Sequence, residues 1–74
     1  MTVKLLGNNI RTIRQIKGIS QEALAMKLNI SQAAYSKMEN GLIVLTDERL
    51  EIILKELNIS HETVLDFDLN KIFK

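Results

Sequence analysis

The chain has 74 residues, of which 46% are hydrophobic and 26% charged, with a formal net charge of +1 and no cysteine or proline. This length allows one domain with a small core, and the lack of cysteine excludes disulfides and thiolate metal sites. No apolar run approaches the roughly 18 residues of a membrane span. The first seven residues are too few and too weakly basic for a signal peptide. We therefore expect one cytoplasmic domain over residues 1–74.

The first predicted helix runs from about residue 7 or 8 to residue 17 and ends before Gly18. Ile10 and Ile13 lie three residues apart, a spacing that places both side chains on one helical face. This face is the predicted contribution of the helix to the core.

Two Ser-Gln pairs, which begin at Ser20 and Ser31, predict two short helices in succession. Each serine is a good N-cap, because its hydroxyl accepts from a free amide in the first helical turn. The predicted helices cover about residues 21–28 and 32–40, and Gly41 supplies the left-handed residue that ends the second one. Two capped helices with so short a connection form a helix-turn-helix unit.

The corner between these helices has its own signals. Asn29 stands at the bend, where we expect a positive φ that asparagine tolerates. Ala25 is small where the second helix crosses closest. The remaining inward apolar positions are Leu24, Leu28, Ile30, Tyr35 and Met38. For Tyr35 a stacking role is the alternative, but a buried tyrosine in the core is the more ordinary arrangement.

A fourth helix is predicted over residues 47–57, after Thr46 as N-cap, and a fifth over residues 61–65, after Ser60. The fourth helix buries Leu50, Ile53, Leu54 and Leu57. The fold class is therefore all-α, a compact five-helix domain. The tail, residues 66–74, has no cap and no clear period, yet it carries several apolar side chains.

The whole pattern resembles the lambda-repressor-like (Xre-type) DNA-binding domain over about residues 8–67. The helix-turn-helix segment carries most of the resemblance, and the flanking matches are Ile10, Ile13, Arg14, Leu50, Ile53, Leu57, Ile59, Val64 and Leu65. The resemblance implies a transcriptional regulator that binds double-stranded DNA with its third helix in the major groove. We interpret it as a repressor that binds as a homodimer. The 68–74 tail then leads to a further region if the natural protein is longer.

Three residues on the outer face of the third helix are the expected base contacts. Gln32 can bond N7 and N6 of adenine together, and Ala33 can touch a thymine methyl group. Lys37 matches a family position that often faces the groove, where it reaches a base edge or a phosphate. The alternative is that Gln32 and Lys37 are ordinary surface residues of a helix.

Gln21, Ser36 and Asn40 are the expected DNA backbone contacts. In the family, a glutamine at the position of Gln21 touches phosphate and braces the base-reading residue. A mid-helix serine such as Ser36 can instead bond back to its own helix. Arg14 and Glu39 resemble a partly buried ion pair of this family that joins the first helix to the end of the third.

Charge is unevenly distributed along the chain. Residues 1–45 carry six basic and two acidic residues, whereas residues 46–68 carry two basic and seven acidic residues. The positive field therefore lies with the helix-turn-helix half, as DNA binding requires. Acidic residues near the starts of later helices also interact favourably with the helix dipole, so both explanations hold together.

The loop after Gly41 departs from the family pattern, which usually has polar or basic residues there. Leu42, Ile43 and Val44 are followed by another leucine, and four consecutive apolar residues cannot all face one small core. An exposed part would form a partner or dimer surface. The alternatives are that the loop only covers the core, or that the face of the last two helices or the tail supplies the dimer contact.

No catalytic residue, metal site or cofactor is expected. His61 is the single histidine, and a metal site needs three or four ligands. No paired acid and base, nucleophile motif or phosphate loop is present, so the chain is not expected to be an enzyme. The alternative function is a protein-interaction module, such as an antitoxin-like or adaptor protein, that binds its partner through the apolar loop.

Overall fold

The computed structural model describes the backbone of residues 3–66 and the side chains of residues 6–65. Over this range the chain forms five helices: α1 (Val3–Ile16), α2 (Gln21–Leu28), α3 (Gln32–Glu39), α4 (Asp47–Leu57) and α5 (His61–Asp66). The prediction of an all-α, five-helix fold is confirmed. None of these helices is long and apolar enough to cross a membrane. The predictions made for the 68–74 tail lie outside the described residues.

The N-caps of α2 to α5 are the four hydroxyl residues that the sequence predicted. Ser20, Ser31 and Thr46 accept from the amide three residues further on, at 3.0, 3.1 and 3.3 Å. Ser60 accepts from the Thr63 amide in the same way, at 3.1 Å. Each cap satisfies an amide that has no partner within its own helix, so the boundary is decided by local chemistry.

The carboxyl ends of α1 to α4 share one motif. A left-handed residue follows the last turn in each case, and these residues are Gly18, Asn29, Gly41 and Asn58, with φ between 56° and 76°. The next amide then bonds back to the carbonyl five residues earlier, which is the Schellman arrangement. These bonds are Ile19 to Arg14, Ile30 to Ala25, Leu42 to Lys37 and Ile59 to Leu54, at 2.8–3.1 Å.

One core lies between the helices. Its fully buried members are Ile10, Leu24, Tyr35, Met38, Ile53, Leu57 and Val64. The closely packed pairs among the described residues are α2 with α3, α1 with α3, α1 with α5 and α2 with α4. In the helix-turn-helix unit, α3 therefore packs against α1 and α2 packs against α4, which buries the predicted inner face of the unit.

Helix α1 begins at Val3, several residues before the predicted start, so that boundary was wrong. Gly7 lies inside the helix and is buried. A Cβ atom at this position would lie 2.8 Å from the carbonyl carbon of Glu39, so the end of α3 can approach only because residue 7 has no side chain. The other helix ends differ from prediction by one residue at most, which is the ordinary uncertainty of a helix boundary.

Candidate nucleic-acid interface

The turn between α2 and α3 holds the two helices in a fixed relation. Asn29 has φ 57° and ψ 43°, the left-handed conformation that was predicted for the bend. Ser31 then caps α3 two residues later, so the connection is only three residues long. The first residues of α3 after this turn, Gln32 and Ala33, are both exposed.

One face of α3 is buried and the opposite face is free. Tyr35, Met38 and Glu39 are at most 2% exposed. Gln32, Ala33 and Lys37 are exposed, so all three proposed base-contact residues lie on the solvent side of the helix. This face has short side chains between two long donors, which suits insertion between the phosphate walls of the major groove.

The three residues proposed for the DNA backbone lie around this face. Asn40 is exposed just after the last turn of α3, and Ser36 is half-buried in the middle of the helix. Gln21 is half-buried at the first position of α2, and its amide nitrogen donates to Glu39 Oε1 at 3.1 Å. One amide hydrogen and the side-chain oxygen of Gln21 remain for other partners.

The Glu39 carboxylate is the centre of a polar network beneath α3. Arg14 Nε lies 2.8 Å from Glu39 Oε2, and Arg14 Nη2 lies 3.2 Å from Oε1. Arg14 also donates through Nη1 to the main-chain oxygen of Ile19 at 2.8 Å. Together with Gln21, these bonds join α1, α2 and α3 at a single buried carboxylate. The network therefore fixes the orientation of α3 relative to the other two helices.

The protonation states in this network follow from its geometry. Burial by itself favours the neutral carboxyl, but hydrogen bonding from Arg14 and its other donors leaves the pKa of Glu39 below its ordinary value. The bond to Glu39 raises the pKa of Arg14. Both groups are therefore charged at neutral pH, and each compensates the desolvation of the other.

Tyr35 lies beside this ion pair, at the boundary between the network and the core. Its hydroxyl is buried and makes no hydrogen bond of normal geometry with the described residues. Burial, with a further contribution from the nearby Glu39 carboxylate, raises the pKa of Tyr35, so the phenol stays neutral. Because its side chain is fully buried, Tyr35 is unavailable for stacking on a base.

Sequence reasoning missed the role of Arg11, which it counted only as a basic residue. Arg11 Nε lies 3.2 Å from Glu39 Oε1, and its Nη2 donates to the side-chain oxygen of Asn40. This bond engages the side-chain oxygen of the exposed Asn40 and leaves its amide nitrogen as the donor of the side chain. The sequence held one indication of this role: Arg11 and Arg14 are three residues apart, a spacing that places both on one face of α1.

The apolar loop divides into exposed and packed positions. Leu42 and Val44 are 75% and 70% exposed, whereas Ile43 and Leu45 are partly buried against the core. Four residues directly follow a left-handed residue at the end of a helix. Ile19, Ile30 and Ile59 pack against the core at this position, whereas Leu42 is exposed. Of the proposed partner surface, Leu42 and Val44 are thus the accessible part.

His61 lies outside this interface. Its Nε2 atom lies 3.3 Å from Glu51 Oε1, and both side chains are largely exposed. Among the residues that the structure describes, no three or more histidine, cysteine, aspartate or glutamate side chains are grouped to hold a metal ion.

A short turn, a capped second helix with a free polar face, and support from the flanking helices define a helix-turn-helix protein. The chain belongs to the helix-turn-helix family of the Xre/lambda-repressor-like type, whose model matches residues 10–64. The predicted family is confirmed.

Several solved proteins are similar over most of the chain. The clp gene regulator ClgR from Corynebacterium glutamicum is 28% identical, with a TM-score of 0.81, over 88% of this chain and 69% of that one. The restriction-modification controller protein C.Esp1396I, solved as a tetramer with its natural 35-base-pair operator, is 32% identical, with a TM-score of 0.74, over 97% of this chain and 95% of that one.

A curated relative of a different kind also matches. Antitoxin PezA from Streptococcus pneumoniae is 28% identical over 64 residues, which are 86% of this chain and 40% of the relative. The chain therefore spans less than half the length of this antitoxin.

Proposed function

We propose that the chain is a sequence-specific, double-stranded DNA-binding transcriptional regulator that acts as a repressor and binds as a homodimer. The observation that carries this proposal is the free polar face of α3, held in place by the buried network around Glu39. A rigid, exposed helix with Gln32 in its first turn presents its donors to base edges at little entropic cost. ClgR and C.Esp1396I are a gene regulator and an operator-bound controller protein, which supports the same role here.

The base contacts are assigned to Gln32, Ala33 and Lys37. Gln32 bonds an adenine through both ends of its amide, Ala33 contacts a thymine methyl group, and Lys37 reaches a further base edge. All three lie on the solvent side of α3. A bidentate contact of this kind contributes about 1–3 kcal/mol of discrimination against the wrong base.

The backbone contacts are assigned to Gln21, Ser36 and Asn40, which set the register of α3 on the duplex without reading sequence. Gln21 keeps one amide hydrogen free after its bond to Glu39, and Arg11 engages the side-chain oxygen of Asn40. Both amides therefore have a donor available for a phosphate oxygen. These residues make binding stronger for every sequence alike.

A homodimer would place two copies of α3 in successive major grooves, about 34 Å apart on a palindromic site. The test is selection of bound duplexes from a random DNA library, followed by titration of the affinity against salt. We expect an enriched palindrome and an affinity that falls steeply with salt concentration. Recovery of no preferred sequence, with weak salt-sensitive binding only, would contradict the proposal.

A second candidate function is a protein-interaction module of the antitoxin or adaptor type. It is favoured by the exposure of Leu42 and Val44 at the end of α3 and by the similarity to Antitoxin PezA. In this function the loop at residues 42–44 holds a protein partner, with Ile43 anchoring the loop to the core. Both functions are compatible in one chain, because the loop residues are separate from those assigned to DNA.

A further inference from the structure

Arg11 of α1 lies between two residues that are assigned to the DNA backbone. The Arg11 Nε atom and the Gln21 Nε2 atom both donate to Glu39 Oε1, at 3.2 and 3.1 Å. The Nη2 atom of Arg11 donates to the side-chain oxygen of Asn40. The Arg11 guanidinium is therefore bonded directly to Asn40 and shares an acceptor atom with Gln21. Arg11, Gln21 and Asn40 form a donor cluster around Glu39 at the carboxyl end of α3.

The donor cluster has a positive charge in excess. Among the ion pairs of the described residues, Arg11 and Arg14 share the single carboxylate of Glu39. Because arginine stays protonated, two positive charges against one negative charge leave one positive charge over. The side chains of Glu39 and Arg14 are 2% and 9% exposed, whereas that of Arg11 is 34% exposed. The excess charge is therefore presented to solvent by Arg11.

Neutralisation of Glu39 does not depend on Arg11. Arg14 donates to both oxygens of this carboxylate, at 2.8 and 3.2 Å, and Gln21 adds a further bond. Glu39 therefore stays paired when Arg11 is replaced. In its bonds to described residues, Arg11 uses two of the five N–H donors of a guanidinium group. The other three donors belong to a charged, partly exposed group and are available to a ligand.

We propose that Arg11 binds a DNA phosphate and supplies the charge of a phosphate site whose neutral donors are Gln21 and Asn40. The inference rests on the proposed function, in which both amides contact the DNA backbone, and adds to it a residue of α1. A guanidinium group binds phosphate through charge-assisted and often bidentate hydrogen bonds, which are stronger than those of a neutral amide. The site makes α1 part of the DNA interface, although α1 lies outside the helix-turn-helix unit.

The test is DNA affinity as a function of salt concentration for the wild type, Arg11→Gln and Arg11→Lys, on the selected duplex and on an unrelated one. Each phosphate that a cationic side chain neutralises adds about 0.9 to the steepness of log affinity against log salt. Arg11→Gln should lose this contribution, so the affinity of the wild type should fall about 3.5-fold more than that of the variant for a fourfold rise in salt. The change should be equal on both duplexes, because a phosphate contact does not read sequence.

Arg11→Lys separates charge from geometry. Lysine keeps the positive charge but lacks the planar fork that bonds Glu39 and Asn40 together. This variant should keep the wild-type salt dependence and lose part of the affinity at every salt concentration. The matched control is Lys27→Gln, which removes a positive charge from an ion pair between α2 and α4, with Lys27 Nζ 3.9 Å from Glu56 Oε1. It should leave the salt dependence unchanged.

Circular dichroism of every variant should match the wild type. The proposal is overturned if folded Arg11→Gln keeps the wild-type salt dependence, or if Lys27→Gln or Arg11→Lys lowers it as much as Arg11→Gln does. Loss of the fold in Arg11→Gln would assign the residue to structure instead and would also overturn the proposal. A wild type that binds no DNA would contradict the proposed function itself, whereas an unchanged slope in Arg11→Gln contradicts only the role of Arg11.

Discussion

Gly7 of α1 lies directly against the main-chain carbonyl of Glu39, at the end of α3. The contact joins the first helix to the helix proposed to read DNA, at the same residue whose side chain centres the polar network. Both the backbone and the side chain of Glu39 are therefore held by α1.

Gly7→Ala should destabilise the fold, although alanine is the better helix former. The new Cβ would lie 2.8 Å from the Glu39 carbonyl carbon. Overpacking of this kind costs about 1–3 kcal/mol, against a gain in helix propensity of about 1 kcal/mol. The free energy of unfolding from urea denaturation measures the net effect. Gly18→Asn is the control, since asparagine already adopts the left-handed conformation at positions 29 and 58, and it should change stability little.

Removing the Glu39 carboxylate should be among the most damaging single changes. Glu39→Ala leaves Arg14 buried without its partner, and breaking a buried pair in this way costs about 3–5 kcal/mol. Replacing both partners by methionine removes both charges at once and should cost less than Glu39→Ala alone. Chemical denaturation of the single and double variants tests this order. A double variant that is less stable than Glu39→Ala would show that the pair is favourable in itself.

Acid should weaken the fold through Glu39. The pKa of this carboxyl is lower in the folded state than its ordinary value of 4.5, so its contribution to stability is complete above that value. The contribution is lost as pH falls from about 4.5 through the folded pKa, because the unfolded chain then binds the proton first. Stability measured against pH should fall less steeply in Glu39→Gln than in the wild type. Parallel curves would show that other carboxylates are responsible.

Gln32→Ala should lower affinity for the preferred DNA site by about 1–3 kcal/mol and relax the preference at one base pair. The physical reason is the loss of two hydrogen bonds to one base edge. Fluorescence anisotropy with the selected duplex and its single-base variants measures both effects. Gln15→Ala removes the same side chain from an exposed position of α1 and should leave the preference intact. Equal loss on every duplex would reassign Gln32 to the DNA backbone.

Leu42→Ser combined with Val44→Ser should leave both folding and DNA binding close to wild type, since both side chains are largely exposed and no charge is added beside Asn40. If the loop holds a protein partner, the same double variant should weaken capture of that partner, because two apolar side chains are lost from the contact and two hydroxyl groups are buried in it. Capture experiments with wild-type and variant chains, followed by a DNA-binding measurement on each, separate the two functions. A substitution at Ile43 is not used in this test, because Ile43 packs against the core and its replacement would also lower the stability of the fold.

Much of the helix-turn-helix unit was predictable because its signals are local. Ser20 and Ser31 bond amides only three residues away, and Asn29 adopts its left-handed conformation within its own turn. Interactions of such short range depend on neighbouring residues alone. The inward faces of α2 and α3 follow for the same reason, since helical spacing decides which side chains share a face.

The candidate site was only partly predictable. The solvent side of α3 followed from spacing, which named Gln32 and Lys37. The bond from Arg11 to Asn40 joins residues 29 positions apart, and no local pattern reports a contact of that range. The Arg14–Glu39 pair was expected because of the family resemblance and not because of its spacing.

The sequence by itself determined the helix-turn-helix unit, its caps and the polar face of α3, because these depend on interactions within one or two helical turns. Tertiary structure decided which loop residues stay exposed and why α1 continues through Gly7. Each of these depends on how closely distant helices approach one another. That approach is decided by side-chain volume across the whole core, which no segment of the sequence specifies alone.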